Sequence, residues 1–314
     1  MKLCYYMDKR GNFGDDLNPW LWGRLIPSLI DGCLGLWDVD ESCSDDLFLG
    51  IGTILNNRMP KTPRKIVFGT GAGYGPGLPV LDELWKVYCV RGPITAALLN
   101  LPKQYAITDA AALVSTVYDA KKFTRQGIAF IPHHASAWNL DWAPICAEMG
   151  IRYIDPRLGI DVVLREIAIS SGIITEAMHG AIVADAFRIP WMPVVLYDHI
   201  LGSKWHDWTR SLSLPYAPVC FEGVFFPGHN YAGVDKLKIG IKRSFSAIGI
   251  TPKRWTPPPR RSTKREIERF LTDFRKIVAE PRLVLSRDHI YNNAVGRLLD
   301  KLDELKKDHL YNRY

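Results

Sequence analysis

Ser171-Gly172-Ile173-Ile174-Thr175-Glu176-Ala177-Met178-His179-Gly180 compresses an apolar run, a polar break and the start of a helical pattern into one short stretch. Residues 172–175 read as a buried strand, and the spacing from about 179 to 187 as the helix that follows it, which is the junction of a parallel α/β unit. In an open α/β sheet, ligands bind outside the carboxyl ends of the strands. Glu176 and His179, three residues apart at that junction, are therefore placed to project into one cleft. A carboxylate and an imidazole near neutrality suit proton transfer. The plainer alternative for a single histidine is a structural or solvated group, and the strand end and flanking glycine favour the functional reading.

Working outward, the same grammar recurs. Upstream, Gly127-Ile128-Ala129-Phe130-Ile131-Pro132 reads as a strand ending at His133 and His134, followed by a helix over 141–149, a short strand over 151–154 and a helix over 160–169. Downstream, 191–196 is the next strand. Residues 3–7, 46–50, 65–69, 86–90 and 105–107 read as an earlier strand series, with Pro93 opening a helix that continues through Ile94, Ala97 and Leu98. The charged stretch 116–126 lacks an apolar period and reads as a linker. The pattern predicts an α/β protein of two Rossmann-like domains, 1–118 and 127–235, with a cleft between them. A tail, 236–314, follows: Thr256-Pro257-Pro258-Pro259-Arg260-Arg261 reads as a stiff spacer, and two amphipathic helices follow through Ile267, Phe270, Leu271, Phe274, Ile277 and Val278 and through Val295, Leu298, Leu299, Leu302 and Leu305. The apolar faces of these helices are expected to fold back over the two domains.

Charge sorts along the same line. The 314 residues carry 40 Lys and Arg against 33 Asp and Glu, a formal +7 that on its own invites a nucleic-acid partner. From Lys236 onward, 20 basic groups face 9 acidic ones, so the first 235 residues are at −4 and the tail at +11. No nucleic acid is therefore expected, although the basic tail suits a peripheral contact with an anionic membrane. Six scattered cysteines with no C-x-x-C pair read as free thiols of a reducing compartment. Residues 1–14 lack the apolar stretch of a signal peptide, and no run reaches spanning length, so a cytoplasmic protein is expected.

Other segments offer ligand contacts. Gly11-Asn12-Phe13-Gly14-Asp15-Asp16 follows the first strand, where the carboxylates of Asp15 and Asp16 suit sugar hydroxyls or a helix cap better than a bare phosphate. Gly69-Thr70-Gly71-Ala72-Gly73-Tyr74-Gly75 follows a strand without completing a Walker or dinucleotide pattern. Arg91, in Val90-Arg91-Gly92-Pro93, offers a fork for carboxylate or phosphate. His133 and His134 end another strand and suit substrate hydrogen bonding, there being no metal-ligand spacing around them. No Gly-x-Ser-x-Gly elbow and no paired cysteine nucleophile is present, which disfavours hydrolases with such a nucleophile.

Taken in order, Gly11-Asn12-Phe13-Gly14-Asp15, Gly50-Ile51-Gly52-Thr53, Gly69-Thr70-Gly71, Val90-Arg91-Gly92-Pro93, Thr108-Asp109-Ala110-Ala111 and Met178-His179-Gly180 resemble the polysaccharide pyruvyl transferase family, especially its succinoglycan-type ketal pyruvyltransferases. The resemblance covers about residues 1–200. It implies a fold similar to the two-domain B-type glycosyltransferases, an acceptor side in the first domain and a donor side in the second. It also implies phosphoenolpyruvate as the donor substrate with no separate cofactor, and a lipid-linked oligosaccharide as the acceptor; no residue is assigned as a metal ligand. By position, Arg91 and His179 would bind the donor, with His179 also a possible general acid and Glu176 doing acid/base work; the roles of His179 and Glu176 are interchangeable on sequence grounds. Asp15, Asp109, His133, His134, Asn12 and Thr175 would orient donor or sugar. Many family members carry Ser-x-Arg where this chain has Thr175-Glu176-Ala177, so phosphate or carboxylate binding falls to Arg91 and other basic groups. The competing enzyme class is a nucleotide-sugar-dependent B-type glycosyltransferase, and a non-enzymatic carbohydrate-binding scaffold is the third alternative.

Overall fold

The computed structural model describes residues 1–73, 77–225 and 262–310. Its first sheet is assembled from β1 (Lys2–Tyr5), β2 (Cys33–Gly35), β3 (Leu47–Leu49), β4 (Lys65–Phe68) and β5 (Trp85–Cys89) in the order β2-β1-β3-β4-β5, and every pairing is parallel. The second contains β6 (Ile128–Ile131), β7 (Arg152–Tyr153), β8 (Gly172–Thr175), β9 (Trp191–Val195) and β10 (Val219–Cys220) in the order β10-β9-β8-β6-β7, again all parallel. Numbered within each half, both orders are 2-1-3-4-5, the doubly wound arrangement whose chain direction reverses between the first and third strands. The strands are short, two to five residues each, and the apolar runs of β3 and β4 are closed by Gly50 and Gly69.

Helices α1 (Phe13–Leu25), α2 (Pro93–Leu98), α3 (Val114–Val117), α4 (Trp142–Glu148), α5 (Ile160–Ala168), α6 (Met178–Ala186) and α7 (Gly202–Ser211) connect the strands, and α8 (Lys264–Ala279) and α9 (Asp288–Leu310) close the chain. Strand β2, strand β10 and helix α7 are absent from the sequence expectation, although Trp205, Trp208, Thr209 and Leu212 follow helical spacing and all four are buried. Residues 105–107 make only an isolated bridge, Ala106 to Val90, because the chain has just left a 3₁₀ turn at Lys103–Tyr105.

One apolar core runs continuously between the halves. Phe13, Leu17 and Leu21 of α1 share it with Ile131, Val163 and Ile167 of the second half and with Met178, Ala181 and Ile182 of α6. The stretch 116–126 is not a free-standing linker: Tyr118 stacks on Phe123 and Phe187, and Ala120 is buried. Its apolar residues are too few to show a period, but they pack against the second half.

The closing helices divide between the halves. Phe270 and Phe274 of α8 pack against Phe130, Trp142 and Phe221. Helix α9 crosses back to the first half, where the Tyr88 hydroxyl donates to Asp308 at 2.7 Å and Tyr291 donates to the Ala112 carbonyl at 2.9 Å. Their apolar faces thus cover both halves, as their periodicity predicts. The Pro-rich spacer at 256–261 lies outside the described residues. No helix among the described residues is long and apolar enough to cross a membrane.

Candidate functional site

The two direction reversals face each other, and a cavity of about 430 Å³ lies between them. Its walls are the segments following β1, β2 and β3 on one side and those following β6, β7, β8 and β9 on the other. Three helices begin at it: Phe13 and Gly14 of α1, Met178 and His179 of α6, and Lys204 in the first turn of α7 line the space. The caps of α6 and α7, Ala177 and Leu201, make no side-chain capping hydrogen bond. Helix starts carry partial positive charge and outward N–H groups, which favour an anion at α6 and α7, whereas the first turn of α1 carries Asp15 and Asp16.

His179 is the site's most constrained side chain. It is 14% exposed, and its Nε2 has no hydrogen-bond partner and lies 3.8 Å from Asp109 Oδ2, itself unpartnered. Burial, with the positive charges of Lys204 and Arg91, pushes the imidazole down to about 3, so the ring is neutral near pH 7. The ring packs on the backbone of Gly14, where an added Cβ would come 2.1 Å from Nδ1. Asp109 caps the following 3₁₀ turn through Oδ1 to the Ala111 N–H at 3.0 Å, and burial raises its carboxyl to about 6 against the opposing charge of Arg91.

Across the cavity, Asn12 caps α1 by accepting from the Gly14 N–H at 3.3 Å, and its amide donates to Asp15. Asp15 is pushed up to about 7 by burial, with Lys204 opposing and Asp16 and Asp8 reinforcing the rise. His133 and His134 line the second side with their rings 4.3 Å apart, and His199 joins them 4.9 Å from His133. Burial lowers all three imidazoles, His134 to about 4. The lining thus offers four neutral imidazoles, a lysine and an aspartate cavity-side, with Asp109 behind His179.

Four expected contacts do not line the cavity: Asp109 lies behind His179, and Arg91, Glu176 and Thr175 turn to partners elsewhere. Arg91 is 1% exposed and forms a buried ion pair, Nε to Asp207 Oδ2 at 3.0 Å, while Nη1 donates to Thr53 Oγ1 at 2.7 Å. Asp207 Oδ1 also accepts the Ile94 and Thr95 N–H groups at 2.8 and 3.0 Å, so this arginine clasps α7 to the start of α2. Glu176 is fully buried; its Oε2 accepts the His133 N–H at 3.1 Å and its Oε1 the Leu196 N–H at 2.9 Å. From the end of β8 it therefore ties the ends of β6 and β9 on either side. Thr175 is likewise buried, donating to the Ile131 carbonyl at 3.0 Å and accepting the Ala177 N–H at 2.9 Å. At a strand's last residues, a side chain that finds backbone partners turns inward, which spacing alone does not reveal.

Lys204 and His199 were not anticipated. Helical spacing through Trp205 and Trp208 signals α7, and the rule that strand ends carry ligand contacts points to the segment after β9. Residues 69–73 of the glycine-rich segment do not line the cavity: Gly71 sits where a Cβ would come 2.2 Å from the Arg91 guanidinium, and residues 74–76 lie outside the described residues. Among the described residues, no group of three or more His, Cys, Asp and Glu side chains is arranged to hold a metal ion.

Fold and site together define a doubly wound α/β protein with twin parallel sheets and a histidine-lined cavity at their facing switch points. No protein-family profile matches the chain. A succinoglycan biosynthesis protein of Rhizobium meliloti (strain 1021), ExoV, is 40% identical over 227 residues, covering 69% of this chain and 67% of the relative. The chain belongs to the polysaccharide pyruvyl transferase family.

Proposed function

We propose that the protein transfers pyruvate from phosphoenolpyruvate to two hydroxyls of one sugar in a polysaccharide precursor, releasing phosphate and leaving a ketal. The carrying observation is the cavity itself, where three helix starts and Lys204 converge beside carboxyls raised toward neutrality. A donor bearing phosphate and carboxylate matches the first feature, and protonation of an enol carbon requires the second. The relative's role in succinoglycan biosynthesis supports an oligosaccharide acceptor, lipid-linked in the form expected here.

In this reading the phosphate and carboxylate of the donor sit at the starts of α6 and α7 with Lys204. Asp15, protonated for part of the time at neutral pH, gives its proton to the methylene carbon, and cationic character grows at the adjacent carbon. One sugar hydroxyl bonds to that carbon, its proton restoring the acid. The bond to phosphate then breaks, the second hydroxyl bonds in its place, and its proton leaves with the phosphate. Neutral His179, supported by Asp109, relays the second hydroxyl's proton to the departing phosphate, taking it as base and giving it up again. Glu176 becomes a positioning residue that holds the His133 backbone.

The test is mass spectrometry of the depyruvylated oligosaccharide of succinoglycan incubated with enzyme and phosphoenolpyruvate. The expected product is heavier by the mass of phosphoenolpyruvate less phosphoric acid, with phosphate release dependent on acceptor. Transfer from a nucleotide sugar instead would sink the proposal.

A further inference from the structure

We propose that Trp37 and Arg58 form a platform at the cavity's rim on which a pyranose ring of the acceptor stacks. Trp37 follows β2, lines the cavity, and is 57% exposed. The other tryptophans among the described residues are buried or half-buried. The Arg58 guanidinium lies 5.1 Å from the centroid of the indole. Arg58 is itself presented by a built turn: buried Asn56 accepts the Arg58 N–H at 2.9 Å and donates to the Ile54 carbonyl at 3.3 Å.

The chemistry of this rim differs from that of the floor. Around His179 and Lys204 the lining brings together imidazoles, Asp15 and a lysine, whereas Trp37, Leu36 and Tyr6 give the rim an aromatic and apolar wall. A pyranose has an apolar C–H face and an edge of hydroxyls. An indole takes the face by dispersion and weak C–H contacts, and an adjacent guanidinium donates to the edge. An anionic donor gains little from the indole, so the rim belongs to the acceptor, and β2 and β3 of the first half supply it.

The acceptor's identity rests on the pyruvyl-transfer reading, and the experiment separates the two. Binding of the depyruvylated succinoglycan oligosaccharide to the full chain is measured by calorimetry without phosphoenolpyruvate, for wild type, Trp37→Ala, Trp37→Phe and Arg58→Ala. We expect Trp37→Ala to weaken binding about tenfold or more, Arg58→Ala to weaken it by a smaller factor, and Trp37→Phe to stay within about threefold because it keeps a stacking face. In turnover, Trp37→Ala raises the acceptor KM and leaves the phosphoenolpyruvate KM unchanged. Its melting temperature matches wild type, the side chain being largely outside the core. Equal binding by Trp37→Ala and wild type, absence of wild-type binding, equal weakening of the donor, or a nucleoside diphosphate that displaces the oligosaccharide each overturns the platform. The pyruvyl-transfer reading fails separately, on the absence of the ketal mass gain in wild type, an outcome under which Trp37-dependent oligosaccharide binding can still stand.

Discussion

Gly14 and His179 face each other across the line between the two halves, and the close approach there gives a sharp residue-scale test. Gly14 is the second residue of α1, and its backbone already takes the helical conformation that an alanine in Gly14→Ala would adopt. The alanine's Cβ would nevertheless come 2.1 Å from the imidazole and displace it. The expected result is loss of turnover by about 10²-fold with the melting temperature nearly held, because misplacing a reacting group by about 1 Å costs that much. Asp15→Asn probes the acid. Turnover of the wild type should fall as pH rises through about 7, where Asp15 ionises. The folded carboxyl is raised above its unfolded value of 3.8, so the folded state holds the extra proton, and the stability this gives is lost as pH climbs from about 4 to 7. Asp15→Asn is therefore inactive yet more stable than wild type at pH 8, and the stability difference closes toward pH 4. Thermal melts across that range check the sign.

His179, His133 and His134 were legible because a histidine directly beyond a buried strand lies where switch-point ligands bind. Arg91 and Glu176 occupy equally suggestive places and point elsewhere. Their direction depends on partners distant in sequence, Asp207 for the arginine and the Leu196 N–H for the glutamate. Local spacing carries no information about such partners.

At the scale of elements, the long closing helix α9 is part of the first half's fold. Leu298, Leu302 and Leu305 are buried, as are Tyr291 and Ala294. Leu302→Ala should cost about 2–5 kcal/mol by removing a packed side chain and leaving a cavity, read as a lowered melting temperature. The amphipathic period of both closing helices and their return over the two halves were plain in the sequence, and which helix covers which half was not. A helix's apolar stripe says that it packs, and only complementary surfaces say where. Likewise α7 looks like surface when its polar residues are weighed by average hydropathy, yet Asp207 and Thr209 are buried along with both of its tryptophans. Asp207 is there because Arg91 and two N–H groups neutralise and satisfy it.

Over the whole molecule, the Arg91–Asp207 pair and the shared apolar core join what the strand pattern suggested were separate units. Both partners are 1% exposed. Asp207→Ala leaves a buried guanidinium uncompensated and two N–H groups unpaired, which should cost about 3–5 kcal/mol. That loss appears as a fall in melting temperature before any effect on catalysis is read. The repeated α/β rhythm was readable along the chain because each unit is local. The union of the halves was not, because it depends on α1 meeting α5 and α6 across more than a hundred residues.

The continuity of that core sets how the protein fails. Unfolding either sheet would expose the faces of α1 and α6 to water together, so neither half has a melted partner it can outlive. Heating should give a single calorimetric transition whose van't Hoff and calorimetric enthalpies agree, and two resolved transitions would show the core to be divisible. The working lifetime of the cavity is then the unfolding lifetime of the entire chain. A damaged molecule is lost as a unit and leaves behind no half-site that could bind donor without acceptor.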